Sequence, residues 1–152
     1  MKYTCTSRLQ FCAGHRVYEH ESKCANMHGH NYVLYIHARP IKGLDRIGRV
    51  IDFSILKKWM GDWIDEHWDH GFIYYNNDLE LKKLFAMYEE NEPIYGALYE
   101  HKNYVLYTNP TAENMAAHLL NNICPDLFHD TQIEVYKIVL WETENCFVEV
   151  EL

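Results

Sequence analysis

Long stretches of alternating polar and apolar residues lie at both ends of this chain. Residues 2–13 alternate throughout, and residues 30–40 (HNYVLYIHARP) are rich in Tyr, Val and Ile, so both stretches predict β-strands. Residues 133–143 and 146–152 predict two more strands, and the Glu-Asn pair between them predicts a tight hairpin. Strands of this kind fit an antiparallel sheet that is covered by helices on one face.

Two helices are predicted between the strand pairs. Asp52 is placed to cap the first helix, which runs to about Trp68. Asn109-Pro110-Thr111 predicts the start of the second, with Pro110 at its first helical position and Pro125 as its end. Apolar residues recur at spacings of three and four along both helices: Phe53, Leu56, Met60, Trp63 and Ile64 in the first, and Met115, Ala116, Leu119, Leu120 and Ile123 in the second.

The segment 71–108 is an insertion before the second helix. A short helix is predicted at 79–90 and a brief strand at 104–107. With 152 residues, no internal repeat and no linker, the chain is predicted to be one α+β domain, 1–152.

Composition excludes several functions. The formal net charge is −8 and no Lys/Arg run is present, so nucleic acid is not an expected partner. The amino-terminal residues lack the apolar run of a signal peptide, and no stretch is apolar for the roughly 18 residues that cross a membrane. Five cysteines without paired spacing indicate reduced thiols in the cytoplasm. Four of them, Cys5, Cys12, Cys124 and Cys146, lie in apolar patterns and are expected in the core.

Three histidines stand out among the ten in the chain. His28 and His30 flank Gly29 at the start of a strand, where side chains two apart point the same way. His15 follows the preceding strand, and a hairpin-like pairing would bring it beside them. Three imidazoles without a fourth fixed ligand are typical of a catalytic zinc site with an open position. The alternative is that they are separate surface or capping histidines.

Cys24 lies in a polar loop four residues before His28. A thiolate near histidines and a divalent cation can act as a base or nucleophile. Alternatively, Cys24 is the fourth zinc ligand, or a thiol without a role.

Carboxylates mark two further positions. Asp69 precedes His70, and a carboxylate beside an imidazole can fix its tautomer and suit it to proton transfer. Glu142 lies near the end of an otherwise apolar strand, where a buried carboxylate needs a partner such as the guanidine-like edge of a ligand.

Six motifs in order resemble the 6-pyruvoyl-tetrahydropterin and 6-carboxytetrahydropterin synthase family across nearly the whole chain. They are Phe11-x-Ala13-x-His15, Cys24-x-x-x-His28-Gly29-His30-Asn31-Tyr32, Ile51-Asp52-Phe53, Asp69-His70, Asn109-Pro110-Thr111-Ala112-Glu113-Asn114 and Glu142-Thr143. The resemblance implies the tunnelling fold, a four-stranded antiparallel sheet with two long helices on one face. It also implies a multi-subunit barrel, a hexamer built as a dimer of trimers.

The resemblance further implies a set of site residues. Zinc would be held by His15, His28 and His30. A catalytic triad would consist of Cys24, Asp69 and His70, and the triad and the metal would come from adjacent subunits. Glu142 would bind the aminopyrimidine edge of a pterin, together with Glu113 or Thr111.

The three-residue gap between Cys24 and His28 is similar to that of the 6-carboxytetrahydropterin synthases of queuosine precursor synthesis. These convert 7,8-dihydroneopterin triphosphate to 6-carboxytetrahydropterin, acetaldehyde and triphosphate. A pyruvoyl-forming synthase and a non-enzymatic zinc-binding assembly protein are the two alternative interpretations.

Overall fold

The computed structural model of the chain describes residues 1–90 and 102–152. Six strands and four helical segments follow one another along it. They are β1 (Cys5–His15), β2 (His28–Pro40), α1 (Phe53–His67), β3 (Gly71–Tyr75), α2 (Leu79–Glu90), β4 (Asn103–Leu106), α3 (Ala112–His118), α4 (Cys124–Phe128), β5 (Ile133–Thr143) and β6 (Cys146–Glu151). A single turn of 3₁₀ helix, Lys23–Ala25, lies in the loop between β1 and β2.

The strands form one mixed sheet in the order β4-β3-β1-β2-β5-β6. The four long strands β1, β2, β5 and β6 pair antiparallel, as the alternation predicts. The expected total of four strands is wrong, because β3 pairs parallel to β1 and β4 parallel to β3. Both added strands come from the insertion 71–108, whose residues 91–101 lie outside the described part of the chain.

Helix α1 begins where the sequence predicts. Asp52 caps it by accepting a hydrogen bond of 2.9 Å from the N–H of Ser54. Leu56, Met60 and Ile64, spaced at one helical turn, are its buried residues. The apolar spacing in the sequence therefore identifies the face that packs on the sheet.

The second long helix differs from its prediction at both ends. Thr111 is its cap and Ala112 its first residue, so Pro110 precedes the helix. Pro125 does not end it either, because α3 continues through a π-helical segment, Leu119–Ile123, into α4. Pro125 lies in the first turn of α4, where a missing N–H is tolerated.

The core lies between the sheet and the two long helices. Alternate residues of the strands point into the core, where they contact residues of both helices. Both helices therefore cover the same face of the sheet. The strand residues Phe11, Ala13, Tyr32, Leu34, Ile36, Ile138 and Leu140 meet Leu56, Met60, Ile64, Met115, Ala116 and Leu119 of the helices. Among the described residues, this core cluster contains no helix on the opposite face of β1 and β2.

Candidate active site

The three histidines lie on the helix-covered face where β1 ends and β2 begins. His15 pairs with His28 and Ala13 pairs with His30 in the antiparallel register, so all three rings point the same way. Gly29 between them pairs with Gly14, and a Cβ at Gly29 would lie 2.9 Å from the Ala13 carbonyl oxygen. The close approach of the two strands therefore depends on glycine at this position.

The histidine rings converge on one point. Ring centroids are 4.6 Å apart for His15 and His28, 5.2 Å for His15 and His30, and 4.9 Å for His28 and His30. One nitrogen from each ring lies within 4.8 Å of the others. This arrangement confirms that the sequence motif brings the three residues together.

Hydrogen bonds to backbone carbonyls orient two of these rings. Nδ1 of His15 donates to the Pro110 oxygen at 2.8 Å, and Nδ1 of His28 donates to the Asn26 oxygen at 2.7 Å. The lone pairs of both rings are thus on Nε2, and the buried Nε2 of His15 has no hydrogen-bond partner among the described residues. The pKa of His15 is lowered to about 4, mainly because the ring is buried and also because His28 and His30 lie close to it, while the bond to Pro110 opposes the shift. A neutral imidazole held by a carbonyl is the usual form of a zinc ligand, so these residues fit the metal.

Glu142 faces the same point from β5. Its Oε1 lies 3.6 Å from Nε2 of His15 and 3.8 Å from Nε2 of His30. The pairing of β5 with β6 shifts register between Trp141 and Thr143, so Glu142 occupies the irregular position. Such a bulge can redirect a side chain at a strand end, and this carboxylate is only 28% exposed.

Asp69 and His70 form a second cluster with Cys12. His70 Nδ1 donates to Asp69 Oδ2 at 2.7 Å, and the Cys12 N–H donates to Asp69 Oδ1 at 2.9 Å. The N–H of His70 donates to the Cys12 carbonyl at 2.7 Å, and His70 adopts a left-handed φ of 57°. Lys102 Nζ binds the Asp69 carbonyl at 2.6 Å. Partial burial opposes ionisation of Asp69, but the hydrogen bonds that its carboxylate accepts from the Cys12 N–H and from His70 outweigh burial and lower its pKa.

The two clusters are on opposite faces of the sheet. Cys12 pairs with Asn31, one residue out of phase with Ala13 and His30, so its side chain points away from the histidines. Cys12, which its apolar sequence pattern predicts to lie in the core, is only partly buried, and its Sγ lies 3.6 Å from His70 Nε2. Cys146 is also wrongly expected in the core, since it is exposed, whereas Cys5 and Cys124 are buried.

Cys24 belongs to neither cluster within the described residues. It lies partly buried in the 3₁₀ turn, and its carbonyl accepts a hydrogen bond of 2.8 Å from the Val17 N–H. Thr111 accepts a capping bond from the Asn114 N–H, and Glu113 is exposed in the first turn of α3. A single chain therefore does not bring Cys24 to the dyad of Asp69 and His70.

Known proteins resemble the chain over almost its full length. Residues 4–152 match the family model described as 6-pyruvoyl tetrahydropterin synthase. The 6-carboxy-5,6,7,8-tetrahydropterin synthase of Rickettsia typhi is 43% identical over 96% of this chain and 98% of its own. The protein of the same name from Haemophilus influenzae is 30% identical over 96% of both. A solved structure from Wolinella succinogenes, described as an uncharacterized protein, shares the fold with a TM-score of 0.79 at 23% identity, covering 99% of this chain and 98% of that one.

The fold is α+β, and its sheet carries three histidines that could hold a metal ion on one face and an Asp-His dyad on the other. Together with relatives that are named as synthases, these features identify the chain as an enzyme. The chain belongs to the 6-pyruvoyl tetrahydropterin synthase family. Within residues 1–90 and 102–152, no helix has the length and apolar character needed to span a membrane.

Proposed function

We propose that this chain is a zinc-dependent 6-carboxytetrahydropterin synthase. It converts 7,8-dihydroneopterin triphosphate to 6-carboxy-5,6,7,8-tetrahydropterin, with release of acetaldehyde and triphosphate, as a cytoplasmic step toward queuosine. The observation that carries the proposal is the convergence of His15, His28 and His30, where the buried Nε2 of His15 has no hydrogen-bond partner within residues 1–90 and 102–152. The names of the relatives from Rickettsia typhi and Haemophilus influenzae support the reaction.

The three histidines would hold zinc through Nε2. A zinc ion there would supply Lewis acidity to the side-chain hydroxyls of the pterin. The carbonyls of Pro110 and Asn26 keep the His15 and His28 rings in the required tautomer. The protein would therefore present a preorganised ligand set at low reorganisation cost.

Glu142, Glu113 and Thr111 would position the pterin ring. Glu142 already faces the histidines across 3.6–3.8 Å. Thr111 and Glu113 follow Pro110, the residue whose carbonyl binds His15, so the start of α3 lies beside the metal site. Carboxylates at this position can accept hydrogen bonds from the guanidine-like edge of a pterin and fix its side chain toward the histidines.

Cys24, Asp69 and His70 would transfer protons. Cys24 as thiolate would remove a proton from a side-chain carbon, and His70, oriented by Asp69, would return protons to the ring or the departing fragment. The dyad points to the sheet face opposite the histidines of its own chain, so it would serve the site of an adjacent copy. We therefore include a homo-oligomer, a hexamer as a dimer of trimers, in the proposal.

The ends of the sheet are compatible with such an assembly. In the described residues the sheet ends at β4 on one side and at β6 on the other, and β3 pairs only with residues 13–15 of β1. Residues 5–11 of β1 thus pair with no strand of the described residues on this edge. Edges of this kind can pair with another copy and close a barrel.

The pyruvoyl-forming reaction is the second candidate, because the matching family model carries that name. It eliminates triphosphate and rearranges the side chain without breaking a carbon–carbon bond. The three-residue spacing between Cys24 and His28 favours the carboxy-forming reaction.

Product identification separates these candidates. Zinc-loaded protein would be incubated with 7,8-dihydroneopterin triphosphate, and acetaldehyde and the pterin product measured by mass spectrometry. We expect acetaldehyde and 6-carboxytetrahydropterin in equal amounts, and loss of both in Cys24→Ala with zinc content retained. A 6-pyruvoyl product without acetaldehyde would support the second candidate, and no turnover of the pterin would refute the proposal.

A further inference from the structure

Cys12 meets His70 on the sheet face that lies opposite the three histidines. Its Sγ is 3.6 Å from His70 Nε2. Because His70 Nδ1 donates to Asp69, the other ring nitrogen carries the lone pair and can accept the thiol proton. A thiol, an imidazole and a carboxylate in this order are the parts of an activated cysteine nucleophile.

The backbone fixes this arrangement as well as the side chains. Asp69 accepts the N–H of Cys12, and His70 donates its own N–H to the Cys12 carbonyl. The left-handed φ of His70 allows the ring to face β1 immediately after Asp69. The N–H and the carbonyl of Cys12 are thus both bonded to the Asp69-His70 pair. These two bonds hold the imidazole over the thiol.

An open pocket of about 350 Å³ lies in front of the thiol. Three of its lining residues are glycines, and no Lys, Arg, Asp or Glu among the described residues lines it. The lining residues are Cys12, Ala13, Gly14, Gly29, His30, Asn31, His70 and Gly71. A Cβ at Gly14 would lie 2.6 Å from the Phe72 ring, so glycine is required at this position of the pocket lining. The space suits a small uncharged molecule.

We infer that Cys12, His70 and Asp69 form a second thiol site within one chain, at which Cys12 reacts with small uncharged electrophiles. His70 Nε2 takes the thiol proton as sulfur attacks carbon, the S–C bond forms, and the leaving group departs with its electron pair. The inference shares Asp69 and His70 with the proposed function but needs neither zinc nor a pterin, so its test can fail independently of that function. It also differs from the triad with Cys24, which uses a thiol from another position.

Iodoacetamide is the probe for this site, because it is small, uncharged and releases iodide on alkylation. The full chain would be treated over a time course, and the alkylation rate of each cysteine measured by peptide mass spectrometry. We expect Cys12 to be alkylated in the wild-type protein. In His70→Gln its rate should fall about tenfold or more, since general-base assistance is lost. The exposed Cys146 is the internal control and should change less than about twofold.

Asp69→Asn gives an independent test, because it keeps the imidazole and removes the group that sets its tautomer. Its Cys12 rate should also fall, and thermal melting would verify that both variants fold. The inference is overturned if Cys12 stays unmodified in wild type while Cys146 reacts, or if its rate is unchanged in either folded variant. A fall confined to Cys24 would likewise overturn it and would favour the interchain triad alone.

Discussion

Glu142 Oε1 and His15 Nε2 face each other at 3.6 Å with no hydrogen between them. The His15 proton is on Nδ1, where it binds the Pro110 carbonyl, and a carboxylate only accepts. Two acceptors at this distance in a partly buried site repel each other unless a cation lies near both. Under the proposed function a bound metal would relieve this repulsion, so Glu142 would support the metal site as well as the pterin site.

Glu142→Gln should weaken zinc binding, because it removes the negative charge beside His15 and His30. We expect the affinity to fall about 10–100-fold, the range for groups that support metal ligands. Competition with a chelator of known affinity measures the change. Glu144→Gln, two residues along the hairpin, removes the same charge and should keep wild-type affinity. Equal affinities in the two variants would contradict this reading of the contact.

Asp69→Asn should lower kcat by about 10²–10⁴ without removing zinc, because an amide no longer fixes the proton of His70 on Nδ1. Steady-state kinetics and metal analysis on the same sample separate the two effects. Asp65→Asn is the matched control, since Asp65 is an exposed carboxylate near the end of α1. Loss of zinc together with kcat would indicate that the dyad supports the metal cluster instead.

Mixing two inactive variants tests whether sites are shared between copies. Cys24→Ala and His70→Ala should each be inactive alone. If Cys24 and His70 of one site come from different chains, a randomly mixed oligomer regains intact sites, and about one quarter of wild-type activity is expected. The mixture would be unfolded and refolded together before assay. Activity that stays at the level of the separate variants would assign both residues to one chain.

The pair Arg16–Asp78 should contribute strongly to stability. Arg16 Nε and Nη2 each donate to Asp78 at 2.6 Å, and the Asp78 side chain is 1% exposed. Asp78→Asn removes the buried carboxylate and leaves the exposed Glu80 as the ionised partner of Arg16, so we expect a loss of about 3 kcal/mol in the free energy of unfolding, at the lower end of the range for a broken buried pair. Asp130→Asn, at a carboxylate that is 85% exposed, should change it by less than about 0.5 kcal/mol.

The same pair predicts a pH dependence. Burial opposes ionisation of Asp78, but the Arg16 hydrogen bonds outweigh it, so its pKa in the folded protein is lowered. A lowered pKa stabilises the fold above the unfolded value of about 4, and this gain is lost as pH falls through the folded pKa. Denaturant titrations should therefore show the wild-type advantage over Asp78→Asn in full at pH 6–7 and shrinking at acidic pH. An advantage independent of pH would contradict the ionic origin.

Local patterns predicted the long strands, the start of α1 and the meeting of the three histidines. Alternation along a strand decides which residues share a face, so His28 and His30 follow from spacing alone. The pairing of His15 with His28 follows from the loop that joins two long strands. These features depend on residues that are close in the sequence, so local patterns can predict them.

Other features depend on contacts between distant segments. Strand β3 is five residues long, too short for a clear period. The brief strand predicted at 104–107 is confirmed by β4, but its parallel pairing with β3 depends on distant segments. The position of Cys12 beside His70 depends on the pairing of β1 with β3 and on the left-handed φ of His70. Pro125 remains inside a helix because a π-helical segment precedes it. No local pattern marks any of these.

The most direct test of the account is anomalous diffraction at the zinc edge from crystals of zinc-loaded protein. The account predicts one peak per chain, about 2.0–2.1 Å from Nε2 of His15, His28 and His30. The absence of a peak among these rings, or a sole peak at Cys12, Asp69 and His70, would contradict it.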